Sequence, residues 1–101
     1  MKPETKFRVN IVDPFLKTLK NCTSFSIQQV SINGDPDKML CIHGRFVGLE
    51  LKDVGEKPRK LQAFKLDQIK RTGGVALVAD RENWQYIKFI LSEMDSTKEE
   101  A

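Results

Sequence analysis

Apolar side chains near the start of the chain recur three or four residues apart, which predicts an amphipathic helix over residues 4–20. The positions that define this stripe are Phe7, Ile11, Phe15, Leu16 and Leu19. Pro14 interrupts the pattern, because a proline inside a helix removes a hydrogen bond and clashes with the preceding turn. Two alternatives follow: the helix kinks near Val12, or a new helix begins with Asp13 as its N-cap and Pro14 at its first position.

The next three segments carry the pattern of β-strands. Residues 24–32 alternate apolar and polar side chains imperfectly and end in the Asn-Gly pair at 33–34, which is typical of a strand followed by a tight turn. Lys38–Ile42 and Arg45–Leu51 are rich in β-forming residues, and the His-Gly pair between them suits a hairpin. The sequence therefore predicts a three-stranded antiparallel meander.

A second helix and a short apolar strand are predicted after the meander. The helix covers residues 58–71, with Pro58 in its first turn, and closes at Gly73 and Gly74, because glycine readily supplies a left-handed cap. Val75–Ala79 is continuously apolar and partly β-branched, as expected of a buried strand.

The last predicted helix covers residues 83–94. Its core-facing side chains are expected to be Trp84, Ile87, Leu91 and either Phe89 or Ile90. Residues 95–101 are polar and terminal, which predicts a flexible tail after a single domain of residues 1–94. The order helix, three strands, helix, strand, helix predicts an α/β fold with a mixed sheet flanked by helices.

Composition narrows the class of protein. A chain of 101 residues, 40% of them hydrophobic, suffices for one compact core and is too short for two. Its apolar runs are only strand-length, so we expect an intracellular protein without a membrane or secretory segment. Cys22 and Cys41 lack CxxC spacing and His43 is the single histidine, which argues against a zinc site or a disulfide framework. The net charge of +3 favours a polyanionic partner only slightly.

The hairpin determines which side chains face each other. If Ile42 pairs with Arg45 across the turn, counting outward along the two strands puts Asp37 opposite Glu50. Opposed side chains in an antiparallel pair have Cβ atoms about 4.5 to 5.5 Å apart, and like charges there are destabilising. Lys52 lies two residues beyond Glu50 and therefore projects from the same face of the strand.

A hard divalent cation would offset this repulsion. Mg²⁺ takes oxygen ligands from one or two carboxylates and keeps other positions for water and substrate phosphate. With the ammonium group of Lys52 to orient that water or to stabilise developing charge, such a site meets the needs of phosphodiester hydrolysis. The spacing therefore predicts a hydrolytic site made of Asp37, Glu50 and Lys52.

Four short motifs occur in order along the chain. They are Gly-Asp-Pro-Asp at 34–37, Gly-Arg-Phe-Val-Gly-Leu-Glu-Leu-Lys at 44–52, Leu-Gln at 61–62 and Gly-Gly at 73–74. With these motifs the chain resembles, over nearly its whole length, the VRR-NUC branch of the PD-(D/E)XK nuclease superfamily. That branch occurs in phages, bacteria and the nuclease domain of the Fanconi-associated repair enzyme. The resemblance implies a restriction endonuclease-like core.

The resemblance also implies roles for single residues. The ligands of Mg²⁺ or Mn²⁺ would be Asp37, Glu50, the main-chain carbonyl of Leu51 and, from the first helix, Glu4. Lys52 would be catalytic together with the two carboxylates opposed on the hairpin. Gln62 would complete the catalytic set from the second helix, where it projects on the same side as Leu66 and Ile69.

Positive charge is concentrated in the loop and helix that follow Lys52. The residues are Lys57, Arg59, Lys60, Lys65, Lys70 and Arg71, and the acids among them are Glu56 and Asp67. Such a cluster can track the phosphates of a nucleic acid. The alternative is a solubilising helix face.

Together these features predict a Mg²⁺- or Mn²⁺-dependent endonuclease that cleaves DNA in the cytoplasm of a bacterium or a phage-infected cell. The phage proteins that the chain resembles imply a homodimer acting on branched DNA such as Holliday junctions, without an organic cofactor or a membrane. A rival from another class is a non-catalytic DNA-binding or assembly protein on the same fold. The absence of Asp37, Glu50 or Lys52 would favour that rival, and all three are present.

Overall fold

A computed structural model describes residues 2–27 and 34–96 of the chain. Its helices are α1 (Pro3–Phe7), a π-helical turn (Arg8–Val12), α2 (Asp13–Leu16), α3 (Lys60–Arg71) and α4 (Trp84–Ser96). Its strands are β1 (Cys22–Ser26), β2 (Lys38–Ile42), β3 (Arg45–Leu51) and β4 (Val75–Ala79). The element order and the bounds of β2, β3 and β4 confirm the sequence predictions. No helix in the described part of the chain is long and apolar enough to cross a membrane.

The four strands form one mixed sheet in the order β1-β2-β3-β4. The first three strands are antiparallel, and β4 lies parallel to β3 because α3 carries the chain back to the starting edge. One face of the sheet packs against α1, α2 and α4 around Leu40, Leu49 and Leu51. Side chains alternate between faces along a strand, so Gly48 and Glu50 lie on the other face, where α3 packs.

The helix at the start of the chain accommodates Pro14 without a break. Val12 and Asp13 both keep right-handed helical φ and ψ, and the main-chain N–H of Asp13 donates to the carbonyl of Arg8, five residues back. Asp13 is therefore not an N-cap, and the expected distortion takes the form of a π turn before Pro14. A wider turn at this point relieves the clash of the proline ring with the carbonyl four residues earlier. Regular helix ends at Leu16, short of the predicted residue 20.

Three further boundaries differ from the predictions. The strand expected over residues 24–32 is β1, which ends at Ser26, and residues 28–33 lie outside the described part of the chain. Pro58 is not helical, because Arg59 has extended backbone angles and α3 begins only at Lys60. Helix α4 continues past residue 94 to Ser96, where the Asp95 carboxylate accepts hydrogen bonds from the main-chain N–H groups of Lys20 and Asn21. Residues 97–101 of the predicted tail are not described.

Among the residues that the structure describes, part of the α3 face of the sheet is exposed. Helix α3 packs near β3 and β4, and the side chains that project from this face over β1 and β2 include Phe25, 55% exposed, and the exposed Cys41. Phe46 of β3 is also exposed at 44%. Of the two candidates for the core side of α4, Ile90 packs against the core and Phe89 is exposed.

Candidate functional site

The hairpin places the carboxylates of Asp37 and Glu50 together. Lys38 pairs with Leu49 at the last rung of the ladder, so the next residues outward, Asp37 and Glu50, are opposed as the spacing predicted. The main-chain N–H of Asp37 donates to Glu50 Oε1 at 3.1 Å, and the N–H of Leu51 donates to Asp37 Oδ2 at 2.8 Å. Each carboxylate is therefore held in place through one oxygen by a main-chain N–H group.

Two glycines hold the segment before Asp37 against α3. Gly34 has a φ of 75°, and a Cβ at this position would lie 2.4 Å from the carbonyl oxygen of Leu61 at the start of α3. A Cβ on Gly48 would lie 2.8 Å from Cδ1 of Ile69 and 3.2 Å from Cγ of Pro36. Glycine is required at Gly34 by its positive φ and the nearby main chain, whereas at Gly48 the closest atom is the end of the flexible Ile69 side chain, which can move.

Glu50 is buried in the sheet with 2% of its surface exposed. The pKa of its carboxyl group is raised from 4.5 to about 7, chiefly by burial and further by the charge of Asp37 and a hydrogen bond with the Asp37 carboxyl group. The Lys52 charge and the main-chain N–H of Asp37 act in the opposite direction. A buried carboxyl group that resists ionisation beside a second one is the situation in which a cation is stabilising.

Lys52 lies on the same face as Glu50, as predicted, and 9% of its surface is exposed. Its Nζ is 3.5 Å from Glu50 Oε2, which is longer than a charge-assisted hydrogen bond. Its main-chain N–H donates to the carbonyl of Ala79 at the end of β4, which holds the lysine at the carboxyl edge of the parallel strand pair. The ammonium group thus lies beside the Glu50 carboxylate without forming a short hydrogen bond to it.

Glu4 lies within electrostatic reach of this site. Partial burial and the negative charge of Asp37 raise the pKa of its carboxyl group, and Lys52 lowers it. The negative charges of Asp53 and Glu56 also raise the pKa of the Glu4 carboxyl group. In the described residues no three His, Cys, Asp or Glu side chains are arranged to hold a metal ion, so Glu4 is near the pair without completing a three-ligand cluster.

Gln62 has a contact that accounts for its burial. Its Oε1 accepts a hydrogen bond of 2.9 Å from the main-chain N–H of Arg59, which caps the start of α3. It shares a helix face with the buried Leu66, as predicted. This hydrogen bond supports a structural role for the amide, and the catalytic role implied by the resemblance stays a prediction.

The six basic residues after Lys52 do not form one patch. Lys57, Arg59 and Lys60 are exposed next to the start of α3, where Leu61 contacts the segment that leads to Asp37. Lys65 lies 3.9 Å from Asp35, and Arg71 pairs with Asp67 at 2.9 Å. Lys70 and Arg71 are about 15 Å further along the helix from Lys60. The structure therefore separates Lys70 and Arg71 from the basic residues in the first half of α3 and before it.

The residues present fit a divalent cation bound by oxygen. Asp37 and Glu50 supply two carboxylates, and Mg²⁺ sites commonly use one or two with water in the remaining positions. In an extended strand the N–H and C=O of one residue point to the same edge. Because the N–H of Leu51 points to Asp37, its carbonyl faces that side too, as the implied ligand role requires.

Sequence reasoning missed a second buried lysine at the same end of the sheet. Lys38 projects from the opposite face of β2, 3% exposed, and its Nζ donates to Ser26 Oγ at 2.7 Å and lies 2.5 Å from Asp13 Oδ1. The contact with Asp13 is an ion pair whose angles are not those of a hydrogen bond. The hairpin register contains the signal, because it puts Lys38 on the same face as Leu40 and Ile42.

Comparisons of the chain with family models, with curated proteins and with solved structures gave no match.

Proposed function

We propose that this chain is a metal-dependent nuclease that hydrolyses phosphodiester bonds of DNA, with a restriction endonuclease-like arrangement of its sheet and helices. The observation that carries the proposal is the buried Glu50 beside Asp37, with the Nζ of Lys52 at 3.5 Å from the Glu50 carboxylate. The main-chain hydrogen bonds that the two carboxylates accept do not by themselves account for two acidic groups and a lysine at one place. Its carboxylates repel each other, and their burial is costly.

Asp37, Glu50 and the main-chain carbonyl of Leu51 would hold Mg²⁺ or Mn²⁺. When bound, the metal supplies a Lewis acid for the phosphoryl oxygen and lowers the pKa of a water molecule. The hydrogen bonds from the N–H groups of Asp37 and Leu51 keep the two carboxylates in place before substrate arrives. Lys52 orients the attacking water or stabilises the charge that develops on the phosphate. Glu4, from α1, would add negative charge near the metal when its carboxyl group is ionised.

The exposed residues Lys57, Arg59 and Lys60 support nucleic acid as the substrate, because they lie at or just before the start of α3 and can neutralise backbone phosphates. The exposed Phe25, Cys41 and Phe46 on the α3 face of the sheet support a homodimer, since an apolar surface of this kind is commonly an interface. A dimer would carry two active sites, which suits paired cuts in a branched substrate such as a Holliday junction.

In the described residues no third acidic, cysteine or histidine side chain joins the two carboxylates. This favours one rival function, that of a DNA-binding or assembly protein of the same fold that does not cleave DNA. One assay separates the two. Purified protein is incubated with labelled linear, flapped and four-way DNA in Mg²⁺, Mn²⁺ or EDTA, with an Asp37→Asn variant in parallel. Metal-dependent cleavage that the variant lacks supports the nuclease. Binding without cleavage in any metal would establish the rival instead.

A further inference from the structure

A polar pocket lies at the same end of the sheet as the carboxylate site, on the side of the opposite face. It has a volume of about 440 Å³ and is lined by Arg8, Asp13, Ser26 and Ile27. Volumes of this size are typical of sites for small ligands or for parts of larger ones. The π turn forms one wall, because its five-residue hydrogen bond between Asp13 and Arg8 brings these two residues to one side of the helix.

The charge of the pocket suits an anion with a single negative charge. Arg8 and Lys38 are positive and Asp13 is negative, and Lys38 lies only 2.5 Å from Asp13. This contact neutralises the carboxylate, so the surplus positive charge of the group resides on the partly exposed Arg8 at the wall. A phosphodiester group carries one negative charge, and guanidinium is well matched to phosphate oxygens.

Ser26 supplies a hydrogen-bond donor next to this charge. Its Oγ accepts a hydrogen bond from the buried Nζ of Lys38 at 2.7 Å. A hydroxyl group has one donor and two acceptor positions, so accepting from Lys38 leaves the hydroxyl hydrogen available to a ligand. The lysine is thus a fixed support for the serine, which lines the pocket.

A main-chain hydrogen bond connects the pocket to the carboxylate site. The main-chain N–H of Ile27 donates to the carbonyl of Asp37 at 2.9 Å, and adjacent strands lie about 4.8 Å apart. One strand of DNA advances about 3.4 Å per nucleotide. A strand that crosses this end of the sheet would therefore reach the pocket within about three nucleotides of the carboxylates.

We propose that Arg8 and Ser26 form a subsite for a backbone phosphate of the DNA strand next to the bond that is cut. The inference rests on the proposed nuclease function and adds to it the register of the bound strand. Arg8 and Ser26 do not take part in the chemistry; they fix where along the strand the carboxylates act.

The test compares DNA binding by the parent, Arg8→Gln and Ser26→Ala, in EDTA so that no cleavage occurs. Arg45→Gln is the matched control, because Arg45 is exposed at the opposite end of β3. We expect Arg8→Gln to weaken binding about fivefold for all sequences and to reduce the salt slope by about one, with a smaller loss for Ser26→Ala. The control should match the parent. Circular dichroism checks that each variant is folded.

A second measurement identifies the contacted phosphate. A set of substrates carries one uncharged methylphosphonate at successive positions around the cleavage point. The parent should lose affinity at one flanking position, and Arg8→Gln should show no further loss there. If the parent binds and cleaves DNA while Arg8→Gln keeps its affinity, salt slope and sensitivity to every methylphosphonate, the subsite is wrong and the nuclease proposal stands. A parent protein that binds no DNA overturns both.

Discussion

Two buried lysines project from opposite faces of the sheet at the same end of the β2–β3 hairpin. Lys38 lies 2.5 Å from Asp13 and donates to Ser26 at 2.7 Å. Lys52 has a carboxylate beside it as well, but its Nζ is 3.5 Å from Glu50 Oε2. Lys38 is therefore held by short contacts with Asp13 and Ser26, whereas the ammonium group of Lys52 has only a longer contact with Glu50.

This difference separates a support from a reactive group. A buried ion pair with short contacts ties together the elements that carry it, and breaking it leaves an unpaired charge. Lys38 ties β1, β2 and the first helix together one residue from Asp37. Lys52 shares its face with two carboxylates whose mutual repulsion it only partly relieves. Replacing each lysine by methionine, which keeps the length of the side chain, should therefore have opposite consequences.

Lys52→Met should give the largest change in activity. The turnover rate for DNA cleavage should fall by about 10² or more, as for the loss of one preorganised electrostatic donor. Melting temperature and Mn²⁺ affinity, measured by calorimetry, should change little, because Asp37 and Glu50 remain. If the variant cleaves DNA at nearly the parent rate, Lys52 is not catalytic, and Lys38 and Lys52 do not differ in function as proposed.

Lys38→Met should instead act on folding. It leaves the partly exposed Asp13 carboxylate without its cation, so we expect a loss of about 2 to 4 kcal/mol in the free energy of unfolding in urea. The double variant Lys38→Met with Asp13→Asn should recover part of this loss. Below its melting temperature the folded single variant should keep Lys52-dependent turnover. Unchanged stability would show that the Asp13 contact contributes nothing.

Glu50→Gln tests the strain on the Lys52 face. Since the folded pKa of Glu50 is raised to about 7 from 4.5, the folded protein binds this proton more tightly than the unfolded chain does. Metal-free parent protein should therefore lose stability as pH rises from about 4.5 to 7. Glu50→Gln should lack this loss and be more stable at pH 8 by about 1 to 3 kcal/mol, while cleavage is abolished. Equal pH slopes for parent and variant in thermal melts in EDTA would contradict the raised pKa.

Exposed cations should have the smallest and most uniform effect. Changing Arg59 and Lys60 together to alanine should weaken DNA binding for every sequence and lower the salt slope by about two, because phosphate contacts release counterions without reading bases. Melting temperature should stay within a degree or two of the parent. An unchanged salt slope would place the DNA away from the start of α3.

Short-range patterns were sufficient to predict much of this molecule. The His-Gly turn fixes the register of β2 and β3, and the register alone puts Asp37 opposite Glu50 and Lys52 on the same face. Alternation also predicts that Lys38 faces the core. Its partners Asp13 and Ser26 could not be predicted, because they belong to a helix and a strand whose packing against β2 is not determined by any local sequence pattern.

The differences between the predicted and observed helix boundaries have a similar cause. Helix α4 extends to Ser96 because Asp95 binds the main chain of residues 20 and 21, a contact about seventy-five positions away in sequence. At Pro14 the sequence indicated a distortion and left its form open. The π turn was selected by tertiary packing, which requires Phe7 and Leu16 on the two sides of it to be buried in the same core.

That turn determines how the first helix tolerates a change in its length. A π turn contains one residue more than the α-helical path between the same two points. In a regular helix Phe7 and Leu16 would lie about 180° apart around the axis, and the extra residue in the π turn brings them to one face. Deleting the exposed Asn10 would close the turn to a regular one and leave both side chains facing the core. A second extra residue at the same place would instead rotate Glu4 and Arg8 by about 100° relative to the end of the sheet.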